Sequence, residues 1–388
     1  MNSEISIKYI KTYELEKNNK DLIKKPKERN YGIDLLRIFS MINIINMHIN
    51  FFSRLLLLNI SSPKYKAIWN LELFSYPGVN CFGLISGIVG YTKYKFSNLI
   101  YLWLTVCFYS LSISCYLFFV ESAINKKDLI LSLFPILIRR HWYVNAYFYM
   151  YVLLPFINDG INSINRTFHK NTVIFLMFFY PIYFLISRIE NLNKNFNFLI
   201  DGISSMWLLV LYIIGAYFGK YIIIDKNKTK IIIFSNLLNF FFSTFFSSEL
   251  HYKLTKSKSN KRAILISYIS PTVFIQALSL IMIFSKLNIE NKILIKIISF
   301  FTPLTFSAQL IHTRLFGTKL KIVEILFKWV FMFNPKILFF KIYCVGVMVY
   351  FICICVDYIR LLIFKILKFR KFSLFIEKVI PELINKIL

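Results

Sequence analysis

Apolar positions in this chain come in long unbroken runs, separated by short polar segments rich in lysine. A helical run of about 20 such residues is long enough to cross a hydrocarbon core of about 30 Å. The runs do not alternate apolar with polar positions, which argues against a membrane β-barrel. The pattern predicts ten spans, near residues 33–58, 72–92, 98–120, 142–158, 172–187, 205–224, 231–247, 264–285, 294–312 and 337–364. The segment 129–138 (LILSLFPILI) is too short to cross and ends at Arg139 and Arg140, so it is expected to be interfacial or re-entrant. No internal repeat is evident, which weighs against the inverted-repeat transporter folds.

Composition strengthens this picture. With 57% hydrophobic residues, the chain has too little polar surface to cover a soluble core of its length. The predicted fold class is all-α: a polytopic transmembrane helical bundle of about ten spans with both termini cytoplasmic. Residues 1–30 form a basic cytoplasmic tail with eight Lys or Arg and no cleavable signal pattern. Residues 31–364 form the transmembrane domain, and residues 365–388 a basic amphipathic tail suited to a membrane surface. No soluble catalytic domain is expected, so any chemistry belongs to the bundle.

The formal charge of +28 would suggest nucleic acid for a soluble protein. Here the lysines crowd loops and tails, where they set topology and meet anionic headgroups, so membrane lipids rather than nucleic acid are the expected partners. Basic hairpins at Lys93/Lys95, Arg166/Lys170, Lys220–Lys230 and Lys286–Lys296 fall inside under this scheme. Residues 248–263, with Lys253, Lys256, Lys258, Lys261 and Arg262, fall outside. That loop is either an exception or the sign of a miscounted span. The resulting localisation is a multi-pass protein of the inner or plasma membrane.

Six cysteines (Cys81, Cys107, Cys115, Cys344, Cys353, Cys355) lie within apolar stretches, without CxxC or histidine spacing. They read as small buried hydrophobes, and neither a disulfide nor a metal site is expected.

Polar residues inside the first span change the picture most. Arg37 and His48 are eleven positions apart, close to three turns, which places both on one face about 16 Å apart along the axis. An arginine at mid-membrane costs at least about 2.5 kcal/mol unless it faces the bundle interior or a wet cavity. Asp34, three residues earlier, is within reach as its partner. Asn43 and Asn46 are weaker candidates for lining the same path. His48 is either a histidine satisfied by a neighbouring helix or a general base, since an imidazole exchanges protons near neutrality and a hydroxyl nucleophile needs such help.

Among the other histidines, His312 ends the ninth span and is either a second polar group in the cavity or an interfacial cap. His141 begins span four, while His169 and His251 read as solvated loop residues. Span two carries Pro77, Gly78, Gly83, Ser86, Gly87 and Gly90, which allow either close helix approach or a broken helix lining a ligand cavity. The segment 139–155, including Trp142 and Tyr143, reads either as an aromatic belt or as a platform for sugar rings. There is no GxSxG, HExxH, Walker A or Rossmann glycine pattern, so hydrolase, metalloprotease and ATP-driven pump readings fall away.

Five stretches in order resemble acyltransferase family 3, the bacterial integral membrane O-acyltransferases. They are YGIDLLRIFSMINIINMHI (31–49), GVNCFGLISGIVGY (78–91), HWYVNAYFYMYVLLPFIN (141–158), SMWLLVLYIIGAYFGKY (205–221), and YISPTVFIQALSLIMIF (268–284) followed by FSAQLIH (306–312). The resemblance covers about residues 30–365. It implies a ten-span bundle that takes an acyl group, usually acetyl, from cytoplasmic acyl-CoA and transfers it to a sugar hydroxyl at the outer face. Carried over by position, Arg37 and His48 are the essential pair, Ser86 and Gly87 belong to the second helix, and His312 belongs to the ninth.

The chain departs from the pattern in three places. Cys81-Phe82-Gly83 replaces the aromatic pair before Ser-Gly. Lys93 and Lys95 stand in for an arginine-rich hairpin. Gln309 occupies a position often held by tyrosine. The leading expectation is an O-acetyltransferase in which His48 serves as general base or organises proton transfer, and Arg37 orients the thioester donor or its phosphates. Acyl-CoA is a donor substrate rather than a tightly bound cofactor, and the acceptor is a cell-surface polysaccharide or its lipid-linked precursor. The competing expectation is a transporter or flippase for lipid-linked sugar with no covalent step.

Overall fold

The computed structural model describes residues 29–92, 94–138, 141–189, 202–223, 229–257, 266–318 and 320–387. Among these the chain is all-helical, with no strand. The N-terminal tail through residue 28, Lys93, Arg139 and Arg140, and the part of loop 248–263 beyond residue 257 lie outside the described residues.

Helix α1 (Tyr31–Phe52) is the axis of the bundle. The Asn30 side chain accepts from the Ile33 amide and Asp34 sits in the first turn, a capped, dipole-matched start. The helix ends six residues earlier than expected, because Arg54 takes a left-handed backbone (φ 61°) and Leu55–Leu57 form a 3₁₀ turn. Next come α2 (Tyr65–Ser75) and α3 (Pro77–Gly90), one 26-residue crossing interrupted at Tyr76, with Pro77 starting its second half. Helix α4 (Phe96–Phe119) precedes α5 (Lys126–Leu131), a six-residue piece whose following turns carry the segment expected to be too short to cross.

The remaining helices are α6 (Trp142–Ser163), α7 (Arg166–Ile189), α8 (Ser205–Tyr217, extended by a π-helical turn), α9 (Thr229–Lys256) and α10 (Pro271–Ser285). They are followed by α11 (Lys292–Phe301), α12 (Thr305–Phe316), α13 (Lys321–Phe331), α14 (Leu338–Ile366) and α15 (Phe369–Ile387).

Each of the ten expected spans falls on helical residues, although 72–92 includes the break between α2 and α3, and 294–312 divides into α11, a 3₁₀ turn and α12. Eight crossings, however, are long and apolar enough among the described residues. Helix α6 falls outside those eight, diluted by Asn145, Asn158, Asp159 and Asn162, and α10 is a shorter apolar helix of 15 residues. The expected loop at 248–263 is also corrected: α9 continues through Lys256, so Lys253 and Lys256 belong to its last turn.

Around α1 pack α2, α3, α10, α11, α12 and α14. The closest approach elsewhere is α3 against α8. A Cβ at Gly83 would sit 2.8 Å from the Leu211 side chain, and one at Gly87 would run into the Tyr212 carbonyl. Small residues permit this contact, as in membrane helix pairs generally. Gly87→Val is therefore expected to lower the thermal unfolding midpoint of the detergent-extracted protein, since backbone cannot yield as a side chain can. Gly160→Ala, at a helical site with nothing within 4 Å, is the matched control and should be neutral or slightly stabilising.

Candidate functional site

Helix α1 presents Arg37 and His48 to two adjoining cavities. Arg37 faces the larger, of about 710 Å³, whose wall also includes Ser86, Tyr147, Arg29, Arg360 and Arg370. His48 faces a narrow pocket of about 10 Å³, bounded by Trp142, Tyr268, Ile44 and Gln309. Phe82, Tyr143 and Phe306 line both, so three aromatic side chains form the partition between them. Helix α1 runs unbroken from Arg37 to His48, as the spacing argument requires, and each residue lines a different cavity.

His48 is paired. Its Nδ1 lies 2.8 Å from Nε2 of His312, and His312 Nδ1 lies 2.5 Å from the Ala308 carbonyl one turn back. A carbonyl only accepts, so His312 carries its hydrogen on Nδ1 and presents Nε2 as an acceptor. His48 Nδ1 must then donate, which leaves the lone pair on His48 Nε2. Phe52 and Phe316 set their rings edge-on to the two imidazoles at 5.9 and 5.6 Å, closing the pair into an apolar frame. The arrangement delivers a neutral imidazole with its basic nitrogen unengaged by any described residue.

Arg37 Nη1 donates to Asp34 Oδ1 at 2.7 Å, as its spacing predicts. Asp34 also accepts from Arg29 Nε at 2.6 Å, so one carboxylate serves two guanidiniums and a positive charge remains over. Ser86 lines the large cavity while its hydroxyl donates to the Phe82 carbonyl at 2.8 Å. Gly87 touches neither cavity and serves the α3–α8 contact. Trp142 stacks on Tyr268 at 5.7 Å and 26°, making a flat aromatic wall for the His48 pocket, and Tyr143 stands beside it.

Asn43 and Asn46 are fully buried and line neither cavity. Asn46 lies against Gly346 of α14, and Asn43 against Gly78 of α3. At about 100° per residue, Asn46 is about 180° from Arg37, so its position away from the path follows from the helix itself.

His169 and His251 are also buried, contrary to the solvated reading. His169 Nε2 meets the Ile213 carbonyl at 3.2 Å, and His251 Nε2 meets the Tyr65 hydroxyl at 3.1 Å beneath Trp69. Both lie within helices whose polar flanks resemble loops in the sequence. His141 caps α6, with Nδ1 3.4 Å from the Thr313 hydroxyl.

Several site residues carry no strong local signal. Gln309 lines the His48 pocket with its Oε1 buried and without a hydrogen-bond partner among the described residues. A buried, unsatisfied amide oxygen in so narrow a recess is a ready acceptor for a single hydroxyl. Its position three residues before His312, one face of the same helix, is the available clue. Among the described residues no three His, Cys, Asp or Glu side chains gather as a metal site would require.

An all-helical bundle with eight crossings long and apolar enough among the described residues, and a histidine pair beside an arginine-lined cavity, has the frame of an integral membrane protein. The chain belongs to acyltransferase family 3, whose acyltransferase domain matches residues 30–358, and is thus a membrane acyltransferase. No curated protein and no solved structure matches it.

Proposed function

We propose that the protein moves an acyl group, acetyl in the first instance, from cytoplasmic acyl-CoA to a hydroxyl of a cell-surface polysaccharide or its lipid-linked precursor. The observation that carries this reading is the shared aromatic partition: His48 lines the cavity on one side and the arginines line the cavity on the other. The donor occupies the cationic cavity with its thioester at the partition, oriented by Arg37, which Asp34 holds in place. The acceptor presents one hydroxyl at the narrow pocket, where the faces of Trp142 and Tyr268 suit the apolar side of a pyranose.

The proton and electron pairs then move as follows. His48 Nε2 takes the hydroxyl proton as that oxygen attacks the thioester carbonyl carbon. The tetrahedral intermediate collapses by breaking the carbon–sulfur bond, and the departing thiolate recovers the proton from the imidazolium. His312 accepts from His48 Nδ1 throughout and stabilises the transient positive charge. The placement in the inner or plasma membrane with cytoplasmic termini is supported by the basic tails, and by Arg29 and Arg370, near opposite ends of the chain, lining one cavity.

Purified protein incubated with radiolabelled acetyl-CoA and a panel of glycans should yield labelled ester, and His48→Ala should slow its formation by about 100-fold or more. Transfer at the wild-type rate in His48→Ala would remove the mechanism. Movement of lipid-linked sugar with no transfer to any acceptor would favour a flippase instead. Gln309 gives a further expectation: Gln309→Leu should raise acceptor KM by about tenfold, the effect of losing one hydrogen bond of roughly 1.4 kcal/mol, while donor KM is unaffected.

A further inference from the structure

We propose that the C-terminal helix α15 completes the donor cavity, with Arg370 gripping a phosphate group at the nucleotide end of the donor. This rests on the acyl-CoA reading and deepens it. Arg360 and Arg370 both lie beyond the family-matched residues 30–358.

The argument starts from charge. Four guanidiniums line the cavity, those of Arg29, Arg37, Arg360 and Arg370. Asp34 is shared by the first two, and Asp357 is taken by Arg360 in a bidentate pair, with both contacts at 2.8 Å. Two positive charges are therefore left over, and one is Arg370. Its Nη2 donates to the neutral Asn98 Oδ1 at 2.9 Å, and its guanidinium lies 5.7 Å over the Tyr101 ring; no carboxylate meets it among the described residues. Glu377, further along α15, faces the Phe96 and Ser97 amides and Lys95 at the start of α4 instead.

Geometry points the same way. Arg370 is held rather than loose: a left-handed turn at Lys368 (φ 55°) folds α15 back from α14 and onto α4. Asn98 and Tyr101 of α4 then set the guanidinium on the cavity wall, and Tyr101 also receives a hydrogen bond from Arg360 Nη1 at 3.1 Å. A cavity of about 710 Å³ is far larger than a two-carbon acyl group requires, so most of it must receive the remainder of the donor. In a coenzyme A thioester that remainder ends in three phosphates, and a planar guanidinium suits a phosphate group's geometry.

The shared chemistry is a phosphate group, which an anionic lipid headgroup could also present. The test is therefore equilibrium binding of coenzyme A and dephospho-coenzyme A to the full chain in nanodiscs of phosphatidylcholine, with or without phosphatidylglycerol. Wild type, Arg370→Gln and Arg370→Lys are compared after their thermal unfolding midpoints confirm folding. The expected result is about a tenfold loss of coenzyme A affinity in Arg370→Gln, partial recovery in Arg370→Lys, and little change for dephospho-coenzyme A. Equal losses for both ligands would place Arg370 at the pyrophosphate and support the grip while moving it. Unchanged coenzyme A binding in Arg370→Gln overturns the proposal and leaves the acyl-CoA reading standing. A wild type that binds neither nucleotide, whatever the lipid, overturns both. Competition by phosphatidylglycerol that vanishes in Arg370→Gln, without a change in nucleotide affinity in phosphatidylcholine, assigns the residue to lipid.

Discussion

His48→Ala is expected to lower kcat for acyl transfer by about 10²–10⁴-fold, the usual contribution of a general base, with donor KM little changed. The expectation follows from the tautomer chain. The Ala308 carbonyl fixes the hydrogen on His312 Nδ1, His312 Nε2 fixes the hydrogen on His48 Nδ1, and the basic lone pair is thereby directed to His48 Nε2 in the pocket. Removing the imidazole removes the only described nitrogen base in that pocket, while leaving the arginine-lined cavity untouched.

His312 acts through His48 and is a positioning residue. His312→Ala should therefore cost less, about tenfold in kcat, and His312→Gln should recover part of it, because a side-chain amide oxygen can accept the same hydrogen bond. Steady-state kinetics with both substrates varied separates these outcomes. Full activity in His312→Ala would mean that the pair is structural, and recovery by His312→Gln would not then arise.

The reach of the sequence can be judged residue by residue. Within one helix, periodicity was enough: Arg37, His48 and Asp34 fall where 3.6 residues per turn places them. It failed for contacts made across the bundle. His48 meets His312 across 264 residues of sequence, and Arg37 shares its cavity with Arg360 and Arg370 from the far end of the chain. Nothing local marks such encounters, because helix order in space is set by packing. His169 and His251 were misread for a related reason: each stands near lysines, yet the helix carries it inward to a carbonyl or a hydroxyl. The α3–α8 contact was legible as a run of small residues, while its partner helix was not. Asn43 and Asn46 are weaker candidates for the path in the sequence, and the angle of Asn46 on the helix already places it about 180° from Arg37.

Asp357→Ala is expected to be the most destabilising single change in the helical frame, at about 3–5 kcal/mol. Asp357 is fully buried and accepts from Arg360 Nε and Nη2 at 2.8 Å each and from the Tyr109 hydroxyl at 2.6 Å. Its removal strands a guanidinium on α14 whose side chain is 4% exposed, and a phenol on α4. The cost therefore comes mainly from the orphaned partners. Replacing both members with apolar residues, Asp357→Leu together with Arg360→Met, should recover most of the lost unfolding midpoint.

The double variant should nevertheless bind coenzyme A more weakly, since one guanidinium has left the cavity wall. Stability and donor affinity are thus expected to separate: the single change fails in the first, and the double change mainly in the second. Thermal unfolding in detergent followed by coenzyme A titration reads both. A double variant no more stable than Asp357→Ala alone would show that the pair's geometry holds α4 to α14. A double variant with undiminished affinity would show that Arg360 faces the donor cavity without contributing to its grip.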